Sequence, residues 1–307
     1  VQCNTTCDGS LMGNGIEARS FKIPTFQLAV PIRHRQESVQ EYAAEEVVNA
    51  IHFIEEQTGE KFDWDAFFKS MKRFNAETEE FLEWMEISKT DYPGVTLALY
   101  RYGVYQAAGG RNQAFLDMDK KLTKMALDAY KSKEMAAKEY RHRAMTWGVQ
   151  AAYYTALPIW LLNCWGVVTI ADMLSMVSTE MVNTEDKHQA MLDLAYLYEN
   201  MIMRNRSNGG YETGVEALWR FCEMFNIDIV IMYVHMGCKS MSGYHGLFEE
   251  EARKHGIHLI WVTHNLMCPE DGTRRDMRTE INRYMRTVFR EEPLDPSLED
   301  FDDSKSW

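Results

Sequence analysis

From about residue 140 onward, short apolar runs alternate with helical segments, and this alternation limits the fold more than any other feature. One apolar run begins at Val167, and two more cover 227–234 and 257–263. Helical patterns separate or follow them at roughly 186–204, 214–225, 244–255 and 273–290. Strands buried on both faces read as continuous apolar runs, and strand–helix alternation is typical of parallel sheets. The sequence therefore predicts an α/β fold with a parallel sheet covered on both faces.

One uncharged stretch, 144–171, is long enough to span a bilayer. It is interrupted by Gly148, Gln150, Pro158, Asn163 and Gly166. These breaks favour a short strand, a buried helix and a second strand over a membrane span. We therefore predict a protein that does not enter the membrane.

The residues before about position 140 have mostly helical patterns. Residues 21–30 predict a strand that carries a proline, followed by a helix with a capping box of Ser38 and Glu41 and a stop at Gly59. A second helix begins near Asp63, a third runs from Pro93 to Gly109-Gly110, and a fourth follows. The second helix has a predicted bundle seam of Phe67, Met71, Phe74, Thr78, Phe81 and Met85. The fourth carries Phe115, Met118, Leu122, Met125 and Ala129 at helical spacing.

These patterns predict three regions: 1–35, the remainder of an N-terminal α/β lobe; 36–139, a helical region; and 140–307, a C-terminal α/β lobe with an acidic tail. The first residue is Val1 rather than methionine, and the first residues read as the end of a strand. We therefore expect the N-terminal lobe to be truncated in this sequence.

Composition narrows the function classes. The formal charge of −13 argues against nucleic acid as a partner, because such binding relies on clustered Lys and Arg. Six cysteines are sparse in 307 residues, which does not fit a disulfide scaffold. The chain has twenty methionines, and cysteines such as Cys222 fall at helical positions. Both features indicate a reduced, cytoplasmic protein.

The most informative cysteine is Cys238, which follows the apolar run 227–234 by a few residues. The carboxyl edge of a parallel sheet is where ligands bind, and a helix beginning after the thiol would stabilise a thiolate. A buried cysteine acting as a small hydrophobe explains the position equally well. Cys3 and Cys7 form a second, weaker site in a loop, because the second cysteine pair typical of zinc sites is absent.

Other candidate residues carry less weight. Cys164 and Cys222 are predicted to be core residues, and Cys268 an exposed thiol without a role. His235 and His264 follow strand ends and could donate a hydrogen bond to a ligand, although satisfaction by the backbone is the more common situation. No dinucleotide fingerprint, P-loop or nucleophile elbow supports nucleotide binding or serine hydrolysis.

The segments "TTCDGS" and "HMGCKSMSGYHGLFEEEARKHGIHLIWV", together with the ending "RRDMRTEINRYMRTVFREEPLDPSLEDFDDSKSW", resemble the 2-hydroxyacyl-CoA dehydratase family, relatives of benzoyl-CoA reductase. The resemblance implies flavodoxin-like lobes joined through helices, in a heterodimer of related subunits. It implies a [4Fe-4S] cluster on three cysteines, with Cys7 and Cys238 as ligands in this chain and Cys3 as the alternate to Cys7. The remaining ligand is expected upstream of Val1.

The same resemblance implies the chemistry. The β-proton of a 2-hydroxyacyl thioester is very weakly acidic, so loss of water is expected to proceed through a ketyl radical anion made by one low-potential electron. The implied partners are an acyl-CoA substrate, a related beta subunit and an ATP-dependent activator protein that donates the electron. The resemblance leaves open whether flavin is bound.

Two alternatives remain open at this stage. A benzoyl-CoA-reductase-type subunit would share the fold and the cluster but reduce its substrate, which product analysis would reveal. A non-catalytic cluster-bearing partner would show no turnover even with its partner subunit and activator present.

Overall fold

The computed structural model describes residues 2–3, 8–28, 37–94, 111–135, 140–176, 180–200 and 211–300. Its strands are β1 (Gln2–Cys3), β2 (Thr25–Phe26), β3 (His142–Trp147), β4 (Val167–Asp172), β5 (Ile229–His235) and β6 (His258–His264). Its helices are α1 (Asp8–Phe21), α2 (Glu37–Thr58), α3 (Trp64–Ser88), α4 (Gln113–Ser132), α5 (Leu157–Trp165), α6 (Lys187–Glu199), α7 (Tyr211–Phe225), α8 (Lys239–Gly243), α9 (His245–His255) and α10 (Arg274–Tyr284). A π-helical turn, Met285–Phe289, follows α10.

The chain divides into two compact units, each assembled from separated segments. The first comprises 1–82, 111–116 and 177–214, and the second comprises 83–110, 117–176 and 215–307. The three consecutive regions expected from the sequence stay a prediction.

The first unit is mainly helical. In it α2 packs against α6, and small residues such as Ala44, Ala190 and Ala195 are buried at this contact and allow the helix backbones to approach closely. Asn75 of α3 donates to the carbonyl oxygen of Val182 and accepts from its N–H at 2.8 and 2.9 Å. These two bonds satisfy the backbone of a segment that has no ladder of its own. The short strands β1 and β2 pair in parallel.

In its described residues, the second unit is built on a four-stranded parallel sheet in the order β4-β3-β5-β6. Ile229, Ile231 and Tyr233 of β5 point to one face, where they pack in a core cluster with residues of α5 and α10. Side chains alternate along a strand, so Trp261 of β6 lies on the opposite face from Ile260 and Val262. There Phe248 of α9 contacts it. The predicted α/β class with a parallel, doubly covered sheet is confirmed, and it is consistent with a flavodoxin-like fold.

The uncharged stretch 144–171 folds as a strand, a helix and a strand, as predicted. It comprises β3 from Ala144 onward, the whole of α5, and β4 up to Ala171. Pro158 lies in the first turn of α5, and Gly166 ends this helix in the left-handed conformation at φ 69°. Among the described residues, no helix combines the length and the apolar character needed to cross a bilayer.

Several predicted helix ends are confirmed, and others are not. Gly59, at φ 77°, follows the end of α2, and the side chain of Asp63 accepts from the N–H of Ala66 at the start of α3. Ser38 already lies inside α2, so its predicted capping box with Glu41 is wrong. The strand predicted over 21–30 is wrong at Phe21, which ends α1, and within residues 22–28 only Thr25–Phe26 forms a strand; residues 29 and 30 lie outside the described part. The helix predicted after Pro93 falls mostly on 95–110, which are also outside it.

The regularly spaced apolar residues of α4 are only partly buried. Met118 and Met125 are 38% and 63% exposed, whereas Asp119 and Thr123 are buried. Burial of the threonine is tolerated because its hydroxyl donates to the carbonyl oxygen of Asp119 at 3.1 Å. An apolar pattern with helical spacing therefore did not identify the face of α4 that is buried.

Gly148 allows β3 and β5 to approach closely at the end of β3. Its φ of 101° is unfavourable for other residues, and an added Cβ would overlap the backbone carbonyl oxygen of Tyr233. Trp147 pairs with Met232 one residue earlier, so this contact continues the register of the sheet.

We predict that Gly148→Ala lowers the free energy of unfolding by at least about 2 kcal/mol, because both the backbone conformation and the contact with Tyr233 become strained. Urea denaturation would measure the change. Gly246→Ala is the matched control, since a Cβ at Gly246 of α9 meets nothing within 4 Å. The control should be neutral or stabilised by about 0.5 kcal/mol, through the higher helix propensity of alanine. Equal stability of the two variants would contradict this account.

Candidate functional site

The strand order places a crevice between β3 and β5. In this order β4 is the outer neighbour of β3, and β6 is the outer neighbour of β5. The connection from β3 to β4 and the connection from β5 to β6 therefore run in opposite directions along the sheet. Neighbouring parallel strands whose connections leave in opposite directions open a crevice at their carboxyl ends, and ligands of open α/β sheets bind there. The loop after β3 and the loop after β5 form the two walls of this candidate site.

The wall after β5 is a tight turn that ends at Cys238. The N–H of Met236 donates to the backbone carbonyl oxygen of His264 in β6 at 3.0 Å, and the N–H of Cys238 donates to the carbonyl oxygen of His235 at 2.8 Å. The N–H of Gly237 donates to Nδ1 of His235 at 3.0 Å. A Cβ at Gly237 would lie 3.2 Å from the same imidazole, so glycine suits this turn. These bonds place Cys238 at the carboxyl edge of the sheet, as the sequence predicted.

The Cys238 thiol differs from the three other cysteines of known environment. Its side chain is partly exposed, and its Sγ makes no hydrogen bond within the part of the chain that the structure describes. Cys164 and Cys222 are buried, as predicted, and burial raises the pKa of each thiol to about 12. Cys268 is partly exposed and its Sγ donates to Glu270 at 3.1 Å, a bond that raises its pKa. A sulfur that is accessible and not otherwise bonded is the one most available to a metal or an electrophile.

The helix after Cys238 contributes less than the sequence suggested. Cys238 is the N-terminal cap of α8, but α8 has five residues and ends before Tyr244, where α9 begins. A helix dipole grows with the number of aligned peptide units, so one short turn stabilises a thiolate only weakly. A helix does begin after the thiol, as predicted, but it is too short to stabilise a thiolate as strongly as the prediction assumed.

The two histidines at this edge have different environments. His235 accepts the N–H of Gly237 on Nδ1, so a neutral ring carries its proton on Nε2. His264 is fully buried, lies edge-on to Tyr233, and bonds the carbonyl oxygen of Asn265 through Nδ1 at 3.0 Å. Burial lowers the pKa of His264 and keeps the ring neutral. His264 is thus a core residue, and His235 alone of the two remains able to contact a ligand.

The opposite wall is fixed by contacts that the sequence did not indicate. Ala152, in the loop after β3, donates its N–H to Leu266 at 3.0 Å. Tyr153 donates its hydroxyl to the carbonyl oxygen of Gly272 at 2.5 Å, and Nε of Arg274 donates to the Tyr153 carbonyl at 3.1 Å. The loop after β3 is therefore held by the loop after β6. The glycine directly after the apolar run of β3 was a usable signal for this wall, whereas the pairing of positions 119 apart was not.

The other predicted ligands cannot be placed at this site. Cys3 ends β1 in the other unit, and Cys7 lies outside the described residues. Within the described ranges, no three His, Cys, Asp or Glu side chains are grouped as a metal site would require. The ligand roles of Cys7, Cys238 and Cys3 therefore stay predictions.

We predict that in metal-free protein Cys238 reacts with iodoacetamide about 100-fold or more faster than Cys222. The thiolate is the nucleophile, and burial both covers Cys222 and raises its pKa to about 12. Peptide mass spectrometry after timed labelling would measure both rates. Cys238→Ala should also change the free energy of unfolding by less than about 0.5 kcal/mol, against about 1 kcal/mol for Cys222→Ala. Similar labelling rates at the two positions would show that Cys238 is not accessible.

Comparison with known proteins agrees with the resemblance carried by the cysteine segments. The family model described as 2-hydroxyglutaryl-CoA dehydratase, D-component, matches residues 1–284, which is most of the chain. No match was found among curated proteins. On the family match, together with the parallel α/β fold and the edge position of Cys238, the chain belongs to the 2-hydroxyglutaryl-CoA dehydratase D-component family.

Proposed function

We propose that this chain is the iron-sulfur alpha subunit of a 2-hydroxyacyl-CoA dehydratase. It would act as a hydro-lyase that removes water from an (R)-2-hydroxyacyl-CoA, such as 2-hydroxyglutaryl-CoA, to give a 2-enoyl-CoA. The observation that carries this proposal is the family match over residues 1–284. The described fold supports it, because the crevice between β3 and β5 is the usual ligand position in such sheets.

The residues at the crevice suit a cluster ligand at one position. A [4Fe-4S] cluster is held by cysteine thiolates, and Cys238 offers a partly exposed sulfur with no competing hydrogen bond among the described residues. When bound, such a cluster would supply the low-potential single-electron chemistry that loss of a weakly acidic β-proton requires. Cys7 and an upstream cysteine are the other ligands we propose, with Cys3 as the alternate to Cys7.

The chain's own residues would shape the site around that position. Gly237 lets the turn after β5 close tightly enough for Cys238 to stand at the sheet edge. His235, with Nδ1 occupied by the backbone, would present Nε2–H as a donor to an oxygen of the substrate. Met236, which is 51% exposed, offers an apolar surface beside it. Together these side chains would bind and orient the acyl group rather than perform acid–base chemistry.

The family describes a component of a dehydratase, so other components are implied. We propose that these are a related beta subunit and an ATP-dependent activator protein that delivers the electron, all in the cytoplasm. Whether flavin takes part is a question for cofactor analysis of the assembled enzyme.

The proposal predicts that Cys238→Ala lowers the iron content of the full-length subunit about tenfold or more, because alanine supplies no thiolate. The protein would be purified without oxygen together with its partner subunit, and iron and the visible absorbance of the cluster measured. Dehydration of the acyl-CoA, with activator present, should be lost in parallel.

Cys222→Ala is the matched control, since Cys222 is buried within α7, which precedes the amino end of β5, whereas Cys238 follows its carboxyl end. It should retain iron and turnover, and Cys7→Ala should resemble Cys238→Ala. A Cys238→Ala enzyme with full iron and normal turnover would refute the ligand role. A saturated acyl product instead of the 2-enoyl-CoA would refute the dehydratase assignment.

A further inference from the structure

The last described residues, 285–300, form a strap that returns across the second unit, and we call this segment the C-terminal strap. The family match ends at residue 284, where the strap begins. Arg290 takes the left-handed conformation at φ 59° and reverses the chain after the π-helical turn. The N–H of Leu294 then donates to the carbonyl oxygen of Cys164 at 2.7 Å, and Nε1 of Trp160 donates to Leu298 at 2.8 Å. The strap is thus held against α5.

The strap is fastened at the amino edge of the sheet by His142, the first residue of β3. Its Nδ1 lies 2.5 Å from Oδ2 of Asp228, which precedes β5, and its Nε2 lies 3.1 Å from Oε1 of Glu291 in the strap. The neighbouring Arg141 reaches the Glu291 carboxylate at 3.3 Å and the Glu292 carbonyl oxygen at 2.7 Å. One imidazole therefore bridges a carboxylate of the sheet and a carboxylate of the strap.

To donate to both carboxylates at once, the imidazole needs a proton on each of its two ring nitrogens. A neutral ring has one N–H, whereas the protonated ring has two and can donate to both carboxylates. The other groups around His142 do not replace this role. Arg143 donates its backbone N–H to Asp228, Phe289 lies 4.5 Å from the rings of both His142 and His258, and His258 bonds the Tyr284 hydroxyl instead.

The strap lies over the Cys164 thiol. Cys164 has no exposed surface, and its Sγ lies 3.9 Å from the carbonyl oxygen of Asp295. Burial, and then the charges of Glu299 and Asp295 in the strap, raise the pKa of this thiol to about 12. If the strap detaches, the sulfur loses part of its cover.

We propose that the C-terminal strap is a pH-dependent cover over Cys164, fastened while His142 is protonated and loosened when it is neutral. The contact with Asp228 is the shorter of the two, so Nδ1 keeps its proton and the contact with Glu291 is the one that is lost. Arg286 also pairs with Glu292 and Glu299. An arginine stays charged, so loosening is local and leaves the remainder of the unit folded.

The sign of the effect follows from the ring's environment. Burial lowers the pKa of His142, but the hydrogen bonds and charges of Asp228 and Glu291 outweigh it and the pKa is raised overall. A group whose pKa is raised by folding stabilises the fastened state below its unfolded pKa, and this stabilisation is lost as pH rises through the folded value. The strap should therefore be fastened in mild acid and loosened in alkali.

Hydrogen exchange tests the proposal, with rates divided by the intrinsic rate at each pH. The protection of strap amides, that of Leu294 above all, should fall about threefold to tenfold between about pH 5.5 and about pH 9, as expected for one charge-assisted bond that is partly exposed. His142→Gln and Glu291→Gln should show the low protection at both pH values. Glu250→Gln, which removes only an exposed partner of Lys254 on α9, should behave like the wild type.

Alkylation of Cys164 provides a second readout that does not require comparison between pH values. At about pH 5.5, where His142 of the wild type is charged, iodoacetamide should label Cys164 about threefold to tenfold faster in the Gln variants than in the wild type. If His142→Gln fails to fold, Glu291→Gln carries the test. Equal strap protection at the two pH values in the wild type, or wild-type protection in Glu291→Gln at about pH 5.5, would overturn the proposal.

Discussion

The parallel pairing of β3 with β5 is the constraint on which the second unit and its candidate site depend. The pairing needs Gly148 at the end of β3, because any other side chain there would meet the Tyr233 backbone. Since β3 connects to β4 and β5 to β6 on opposite sides, the same pairing opens the crevice at the carboxyl edge. The position of Cys238 next to that crevice follows from the strand order and from a two-residue turn.

Much of this unit could be predicted from the sequence, because buried parallel strands leave long apolar runs and helix ends leave glycines. The uncharged stretch 144–171 was divided correctly for that reason. Prediction failed where an apolar pattern did not determine which side of a helix is buried. The apolar positions of α4 have regular helical spacing, yet Met125 is exposed and Thr123 is buried, because the threonine hydroxyl is satisfied within its own helix. Spacing alone does not show which side of a helix the rest of the protein covers.

In the candidate site, too, some features could be predicted from the sequence and others could not. The edge position of Cys238 was predictable, since an apolar run followed by Gly237 specifies the end of a strand. The burial of His264 was not, because it depends on how the loop after β6 packs around the ring. Contacts between distant positions leave no local pattern at all: His142 meets Asp228 and Glu291, which are 86 and 149 residues away.

The amino and carboxyl edges of the sheet differ in how their polar side chains are bonded. At the amino edge, the buried guanidinium of Arg143 donates to the carbonyl oxygens of Phe225, Ser88 and Thr90 at 2.6–3.0 Å, so it joins the ends of α7 and α3 to β3. Its bonds make that edge costly to disturb, because removing one partner leaves a buried polar group unpaired. At the carboxyl edge, by contrast, Cys238 leaves its sulfur without a hydrogen bond among the described residues. The amino edge is therefore tied together by a buried cation, whereas the carboxyl edge presents an accessible sulfur beside the crevice.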